Sequence, residues 1–262
     1  MSRSLFDRLA RRYKQLTFRP RIINRRVSGE EIQFFVGNLF GASWFYGPRH
    51  DPWPELEWIK ANGIQRGDCV IDCGANHGFS TVLFARWAGP EGLVYAFEPY
   101  QHNVEILRKN LELNNVNNVR VRPVAAGAEN TTATLGIHPN AAILKNPKAG
   151  QRIEQVPLRR LDDEIDEKKV DFIKIDVEGF ELEVLKGAQR ILAGHPRLAL
   201  EVHVFMYENK SRGLEELFGL IPLGKYSVQI QPVVDGPIRP FEPKLDTPRT
   251  LSGCHVVHLF CT

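Results

Sequence analysis

Cysteine is scarce in this chain, and the four that occur all lie in or beside apolar segments: Cys69, Cys73, Cys254 and Cys261. So few thiols argue against the disulfide framework of a small secreted domain. Cys69 and Cys73 have no matching second pair of ligands, which also argues against a structural zinc site.

Long apolar runs are missing as well. No stretch approaches the roughly 18 consecutive apolar residues that a membrane-spanning helix requires. Near the N-terminus, Arg8, Arg11 and Arg12 interrupt the apolar segment that a signal peptide would need. We therefore expect a cytoplasmic protein with reduced thiols.

A large excess of one charge is also absent, because the net charge is only +3 over 262 residues. The positive charge is concentrated in residues 1–26, where Asp7 is the single acid among many arginines and lysines. Apolar side chains in the same segment recur at helical spacing, which predicts a basic amphipathic helix. Such a helix either contacts an anionic membrane or a nucleic acid, or packs on the main domain with its basic face in solvent.

The chain divides into two predicted parts. We expect residues 1–50 to form a basic N-terminal extension, with a helix beginning at Ser28-Gly29-Glu30-Glu31 and an aromatic loop at Trp44-Phe45-Tyr46. Residues 51–262 then form the main domain. In it, strand-like segments at 131–137 and 153–158, on either side of a loop with proline, glycine and lysine, predict an insertion hairpin at about residues 127–160.

Strands and helices alternate along the main domain. The predicted strands lie around Val70-Ile71, at 93–97, 119–126, 170–176 and 198–204, and in the tail at 226–230 and 254–260. This alternation predicts an α/β fold with a doubly wound, Rossmann-like sheet of about seven strands, the last of them antiparallel.

The first of these strands leads into a turn that lacks one glycine. The pattern is Asp72-x-Gly74-x-x-x-Gly78, whereas a pyrophosphate-binding turn carries three glycines. The missing glycine argues against a nicotinamide-dependent oxidoreductase. It suits a ligand with an amino-acid end and no phosphate, such as S-adenosylmethionine. Ser80 and Thr81 begin the following helix, whose free N–H groups attract an anionic group.

Three acidic residues follow predicted strands: Asp72, Glu98 and Asp176. Ligands of open α/β sheets bind beyond the carboxyl ends of the strands, so these side chains are candidate ligand contacts. Glu98 lies 24 residues after Gly74, near the spacing at which an acid accepts hydrogen bonds from ribose hydroxyls.

With these motifs in place, the sequence resembles the FkbM family of S-adenosylmethionine-dependent methyltransferases. The matching segments are 70–78 with Ser80-Thr81, Phe97-Glu98-Pro99, 156–163, 173–181 and 200–203. The resemblance covers roughly residues 65–205. It implies the class I methyltransferase fold and methyl transfer to oxygen, often of a sugar, polyketide or glycolipid.

The resemblance also implies a set of cofactor-binding residues. Those expected near the methionine part are Asp72, Gly74, Ala75, Asn76, Gly78, Ser80 and Thr81. Those expected near the ribose, the adenine and the sulfonium are Glu98 with Pro99, Ala125 with Ala126, and Asp176.

Transfer to a hydroxyl needs a base near the departing proton. His203 is the first candidate, with Asp176 and Glu178 as the others, although a structural role for His203 stays open. Asp176, Glu178 and His203 could also hold a divalent cation. Because no further carboxylate stands at convincing spacing, we assign no metal.

Several functions therefore remain open at this point. The first is an O-methyltransferase acting on a small molecule, a glycan or a polyketide-type acceptor. An RNA ribose methyltransferase would use the basic N-terminus with Lys174, Asp176 and Glu201, but a second suitable lysine is not identifiable. A nicotinamide-dependent oxidoreductase and a non-catalytic binding module are the remaining alternatives. The sequence does not determine the acceptor or the oligomeric state.

Overall fold

The computed structural model describes residues 17–39, 53–137 and 141–262. The basic amphipathic helix predicted at the N-terminus falls on residues 1–16, outside the described residues, as does the aromatic loop at Trp44-Phe45-Tyr46. Among the helices that are described, none combines the length and the hydropathy needed to cross a bilayer. The compartment stays a prediction.

The described residues form an alternating series of strands and helices. The strands are β1 Arg21–Val27, β2 Glu30–Val36, β3 Cys69–Cys73, β4 Leu93–Phe97, β5 Val119–Arg122, β6 Ala125–Ala126, β7 Thr131–Gly136, β8 Ile153–Arg159, β9 Phe172–Ile175, β10 Arg197–Val202, β11 Val228–Gln231, β12 Arg239–Pro240 and β13 Val257–Cys261. The α-helices are α1 Pro54–Trp58, α2 Phe79–Ala88, α3 Gln101–Leu113, α4 Leu161–Glu164, α5 Glu181–Lys186, α6 Gln189–Leu192, α7 Lys210–Leu220 and α8 Pro248–Leu251.

Eight of these strands form one sheet in the order β12-β11-β13-β10-β9-β3-β4-β5. The strands β10, β9, β3, β4 and β5 run parallel to one another. The last strand, β13, pairs antiparallel with both β10 and β11. The predicted doubly wound α/β sheet with an antiparallel last strand is therefore confirmed, and the two-residue β12 adds an edge strand to the seven expected.

Side-chain alternation along the central strands builds a core on each face of the sheet. On β3, Ile71 and Cys73 pack in one apolar cluster together with Leu185 of α5. Val70 faces the other way and packs in a second cluster with Val82 of α2 and Leu107 of α3. Because β3 is covered on both faces, its residues are apolar apart from Asp72, as is usual for a parallel strand at the centre of a sheet.

The helix predicted to begin at Ser28 is wrong, because residues 21–36 form an antiparallel β-hairpin. Ser28 and Gly29 both have positive φ angles and form its two-residue turn. Phe34 and Val36 are buried in the same apolar cluster as α2. The hairpin is joined to α3 by the N–H of Phe35, which donates to Asn110 Oδ1 at 2.6 Å. The division of the chain at residue 50 stays a prediction.

The single strand predicted over residues 119–126 is also wrong, since it divides at Pro123. A proline has no N–H to donate to a neighbouring strand. Before it, β5 pairs with β4 in the main sheet. After it, β6 pairs with β8, which also pairs with β7 in a separate three-stranded sheet. This break turns Ala125 and Ala126 away from the main sheet.

Candidate active site

A cleft opens beyond the carboxyl ends of β3, β4 and β9, where an open α/β sheet binds its ligands. It contains about 1010 Å³ of empty space, part of it continuous with solvent. The predicted site residues that line it are Gly74, Ala75, Asn76, Ser80, Glu98, Pro99, Ala125, Ala126, Asp176 and Glu178. The structure thus brings together residues that lie up to 104 positions apart, from 74 to 178.

The turn between β3 and α2 forms one side of the cleft, and its glycines are required by close approach. Gly74 has φ +85°, and a Cβ atom there would lie 1.8 Å from the carbonyl oxygen of Asp176. Gly78 has φ +83°, and a Cβ atom would lie 2.3 Å from Leu107 Cδ1. Gly78 precedes α2 without a side-chain cap, and Ser80 in the first turn lines the cleft. The first N–H groups of α2 are therefore placed for an anionic ligand group.

Asp72 and Thr81 lie behind this turn and are not among the lining residues. Both are fully buried, and the Thr81 hydroxyl donates to Asp72 Oδ2 at 2.7 Å. The other carboxylate oxygen, Oδ1, is buried without a hydrogen-bond partner among the described residues. Burial raises the pKa of Asp72. These two residues support the turn from behind, and Gly78 likewise lies outside the cleft lining.

Glu98 lies at the end of β4, and its carboxylate is held by three donors. Backbone N–H groups of Asn76 and Tyr100 donate to Oε2 and Oε1, each at 2.9 Å, and Asn103 Nδ2 donates to Oε1 at 3.3 Å. Burial nevertheless raises the pKa of Glu98 to about 7. Oε1 already accepts two hydrogen bonds, whereas Oε2 accepts one and keeps a lone pair that can accept a hydrogen bond from a ligand hydroxyl.

The opposite wall is apolar. Val124, Ala125 and Ala126 line it after the break at Pro123, together with Phe180 and Ile143 from two other segments. Phe34 of the N-terminal hairpin also reaches the cleft and packs edge-on against Phe79, with ring centroids 6.1 Å apart. Motif reasoning assigned no role to Phe34 and Ile143, because nothing in their local sequence distinguishes them from core residues. It gave no role to Phe180 either, although Phe180 lies within the matching segment 173–181.

A buried lysine lies between the acids of the cleft. Lys174 Nζ is 2.9 Å from Asp176 Oδ2, and its side chain is only 5% exposed. Burial opposes the charged form, but the carboxylates of Asp176 and Asp72 outweigh it and raise the pKa of Lys174. Burial and the nearby Glu201 raise the pKa of Asp176, while Lys174 opposes that shift. The sequence suggested Lys174 only for the RNA alternative.

His203 follows β10 and is buried beside the cleft rather than among its lining residues. Its Nδ1 is 2.8 Å from Glu181 Oε1, and its Nε2 is 3.4 Å from Glu178 Oε2. Burial opposes the charged form, yet the hydrogen bond to Glu181 and the surrounding carboxylates raise the pKa of His203 to about 10. This pKa favours the protonated ring at neutral pH, and a protonated imidazole has no lone pair to accept a proton. It therefore argues against His203 as the first candidate base, a role that stays a prediction.

Glu178 and Glu181 differ in what they contact. Glu178 has a left-handed backbone at φ +53°, rare for a residue with a side chain, and its carboxylate joins Asp176 and His203. Glu181 is fully buried and also accepts the N–H of Gly179 at 2.8 Å. Ligand atoms of Asp176, Glu178 and His203 all lie within 4.8 Å of one another.

The family comparison agrees with this geometry. The sequence model of the methyltransferase FkbM domain matches residues 72–226, more than half of the chain. Methyltransferase 1 of Beauveria bassiana (strain ARSEF 2860) is 29% identical over 143 residues, which are 45% of this chain and 57% of that protein. Methyltransferase sdnD of Sordaria araneosa is 30% identical over 155 residues, 45% of this chain and 59% of that protein.

The chain therefore spans less than two thirds of the length of these curated relatives. Among solved structures, the methyltransferase FkbM of Methylobacillus flagellatus is similar with a TM-score of 0.48 and 22% identity. That similarity covers 74% of this chain and 43% of the other. On the extent of the family match, the chain belongs to the FkbM family of methyltransferases.

Proposed function

We propose that the chain transfers a methyl group from S-adenosylmethionine to a hydroxyl oxygen of a small molecule, a glycan or a polyketide-type acceptor. The observation that supports this most is the placement of Glu98 and Asp176 in one cleft, at the ends of β4 and β9. Glu98 is an acceptor for a diol, and Asp176 is an acceptor for a proton. Gly74 of the turn between β3 and α2 lines the same cleft and lies against the backbone of Asp176.

The residues present fit this cofactor. Glu98 would accept a ribose hydroxyl at Oε2, and the apolar segment 124–126 would lie against the adenine. The turn at Gly74, Ala75 and Asn76 would border the methionine part. Ser80 and the first N–H groups of α2 would take its carboxylate, as the positive end of a helix favours an anion. The turn lacks the third glycine that a pyrophosphate-binding turn carries, which distinguishes it from such a site.

Bound there, the cofactor supplies a methyl carbon activated by a cationic sulfur. The chain contributes mainly alignment, since holding two reactants in line is worth several orders of magnitude in rate. Asp176 and Glu178 line the cleft with their carboxylates and would orient the acceptor hydroxyl. We assign Asp176 as the base, because its raised pKa suits proton uptake and Lys174 holds it at 2.9 Å.

His203 is a positioning residue in this proposal. Its charged ring lies between Glu181 on one nitrogen and Glu178 on the other. It therefore fixes the carboxylate of Glu178 at the edge of the cleft and balances part of the negative charge there. Glu181, the buried partner, sets the ring orientation.

Ligand binding tests the cofactor assignment first. Titration calorimetry with S-adenosylmethionine and with NADH should show binding of the former alone. Glu98→Gln should weaken that binding, whereas Glu105→Gln, an exposed control on α3, should not. Binding of NADH in place of S-adenosylmethionine would contradict the cofactor assignment.

Labelled methyl transfer onto fractionated host extract tests the reaction. We expect label in a hydroxyl-bearing small molecule or glycan, with none in the Asp176→Asn variant. Label in RNA, with salt-sensitive binding, would instead support a ribose methyltransferase. Label on nitrogen or carbon would contradict transfer to oxygen.

A further inference from the structure

A second polar cluster lies outside the cleft, where α1 meets the antiparallel end of the sheet. It consists of Glu55 in the first turn of α1, Glu201 on β10 and His258 on β13. One ligand atom from each lies within 4.8 Å of the other two. All three line a small pocket that shares no residue with the cleft lining. The methyl-transfer proposal gives no role to Glu55 or His258, although Glu201 Oε1 also lies 3.8 Å from His203 Nε2.

The pairing of three strands places two residues of this cluster and a supporting glutamine in one row across the sheet. His258 is directly opposite Glu201 on β10 and Gln231 on β11. Side chains directly opposite in neighbouring strands lie on the same face of the sheet. The cluster is therefore formed by backbone pairing, with Glu55 added from the helix above.

The hydrogen bonds of Gln231 determine which nitrogen of His258 carries the proton. Gln231 Nε2 donates to the carbonyl oxygen of Gly236 at 2.7 Å, so Oε1 is the atom that faces His258 Nδ1. An amide oxygen only accepts, and Nδ1 must donate to it. In the neutral ring, the lone pair is then on Nε2, toward the two glutamates. A metal-binding histidine is usually held this way by a partner on its other nitrogen.

His258 Nε2 lacks a hydrogen-bond partner at a normal distance among the described residues. The residue is 5% exposed, and the atom is buried without a hydrogen bond among the described residues. Its nearest carboxylate oxygen, Glu201 Oε2, is 3.5 Å away. A charge-assisted hydrogen bond would be about 2.7–2.9 Å long. Two ligands about 2.1 Å from a tetrahedral ion would be about 3.4 Å apart, which matches the observed spacing.

We propose that Glu55, Glu201 and His258 bind one divalent transition-metal ion, Zn²⁺ or Mn²⁺. An imidazole nitrogen with two carboxylate oxygens is a ligand set that suits these ions better than Mg²⁺ or Ca²⁺, which prefer oxygen alone. Asp235 lines the same pocket but is not one of the three residues whose ligand atoms lie within 4.8 Å of one another. The ion joins α1 to β10 and β13 and so stabilises one end of the sheet.

Equilibrium dialysis of the full chain, stripped with a chelator, measures the number of bound ions with Mn²⁺ or Zn²⁺ as the probe. We expect Glu55→Gln and His258→Gln to bind one ion fewer per chain, or to bind it about tenfold or more weakly, since even outer-shell losses cost 10–100-fold. Glu57→Gln, on the same helix but outside the cluster, is the matched control and should bind as the wild type does. Metal should raise the unfolding temperature of the wild type and not of Glu55→Gln.

The cleft cluster of Asp176, Glu178 and His203 has a similar composition. The experiment must therefore distinguish an ion bound there from an ion bound by the second cluster. Glu178→Gln removes a ligand from the cleft cluster alone. Retention of the ion in this variant, with loss in Glu55→Gln, supports the proposal. Loss in Glu178→Gln with retention in Glu55→Gln places the ion in the cleft and overturns it. Absence of binding to the wild type at millimolar metal also overturns it and leaves a protonated His258 paired with Glu201.

Discussion

Gly74 of the β3–α2 turn lies against the backbone of Asp176, the residue that follows β9, and Gly74→Ala tests that contact. The substitution adds one methyl group at a residue with φ +85°, a region that L side chains rarely adopt. The added carbon would lie 1.8 Å from the carbonyl oxygen of Asp176. The obstacle is backbone, so no rotation of a side chain relieves it.

The magnitude follows from two contributions. A left-handed backbone costs a residue with a Cβ roughly 1–2 kcal/mol. Forcing an extra carbon into a packed site costs typically about 1–3 kcal/mol more. We therefore expect Gly74→Ala to lower the free energy of unfolding by about 2–5 kcal/mol. Binding of S-adenosylmethionine should fall as well, since Gly74 and Asp176 both line the cleft and must separate.

Gly67→Ala is the matched control, because Gly67 has φ +89° and a Cβ atom there meets nothing within 4 Å. Gly67→Ala should lower the free energy of unfolding by the backbone contribution alone, about 1–2 kcal/mol, and leave ligand binding unchanged. Urea denaturation of both variants, followed by calorimetric titration, measures the difference. Equal destabilisation of the two variants, or intact ligand binding in Gly74→Ala, would refute the close approach of the turn to β9.

Three further outcomes are expected. Glu98→Gln should weaken S-adenosylmethionine binding about 10- to 150-fold, which is the loss expected for a hydrogen bond to a charged group. In the wild type, the affinity measured by calorimetry should rise as the pH increases through about 7, because burial raises the pKa of Glu98 to about 7. Asp176→Asn should lower kcat by about 10²- to 10⁴-fold while the cofactor Kd changes much less, as measured by labelled methyl transfer. His203→Gln removes the charge partner of the buried Glu181 and should lower the free energy of unfolding by about 3–5 kcal/mol. The pKa of His203 is raised from 6.5 to about 10 in the folded state, so the wild type should lose this stability as the pH rises between those values. Urea titrations should show that loss in the wild type and not in the variant.

The alternation of strands and helices and the glycine turn could be predicted from sequence because both depend on local patterns. Buried parallel strands are apolar runs, and a strand, a glycine turn and a helix follow one another directly in the chain. Asp72 and Glu98 could be identified for the same reason, since Asp72 lies near the end of β3 and Glu98 directly follows β4. The pattern could not tell that Asp72 turns into the core to accept the Thr81 hydroxyl while Glu98 lines the cleft.

The sequence of the N-terminal hairpin predicts a helix because its local patterns distinguish poorly between a helix and a strand. Ser28-Gly29-Glu30-Glu31 matches a helix start, yet Ser28 and Gly29 form a tight turn with positive φ at both residues. The strand form is favoured by contacts distant in sequence, such as the bond from Phe35 N–H to Asn110. Propensity gives way where tertiary contacts satisfy the backbone.

The charge state of His203 shows why site chemistry is harder to predict than site location. Its place at the end of β10 was readable from the sequence, and a histidine near pH 7 is by default a candidate base. Glu181 changes that conclusion, because its buried carboxylate lies 2.8 Å from Nδ1 while Glu178 approaches the other nitrogen. His258 has the opposite arrangement, with a neutral amide oxygen on Nδ1 and an unsatisfied Nε2. The two histidines therefore differ in the group on Nδ1, a carboxylate in one case and an amide in the other. Burial opposes a charge on both rings and nearby carboxylates raise the pKa of both, so the difference lies in geometry. Nε2 of His258 is buried without a hydrogen bond among the described residues and faces two glutamates, which is where a metal ion would bind.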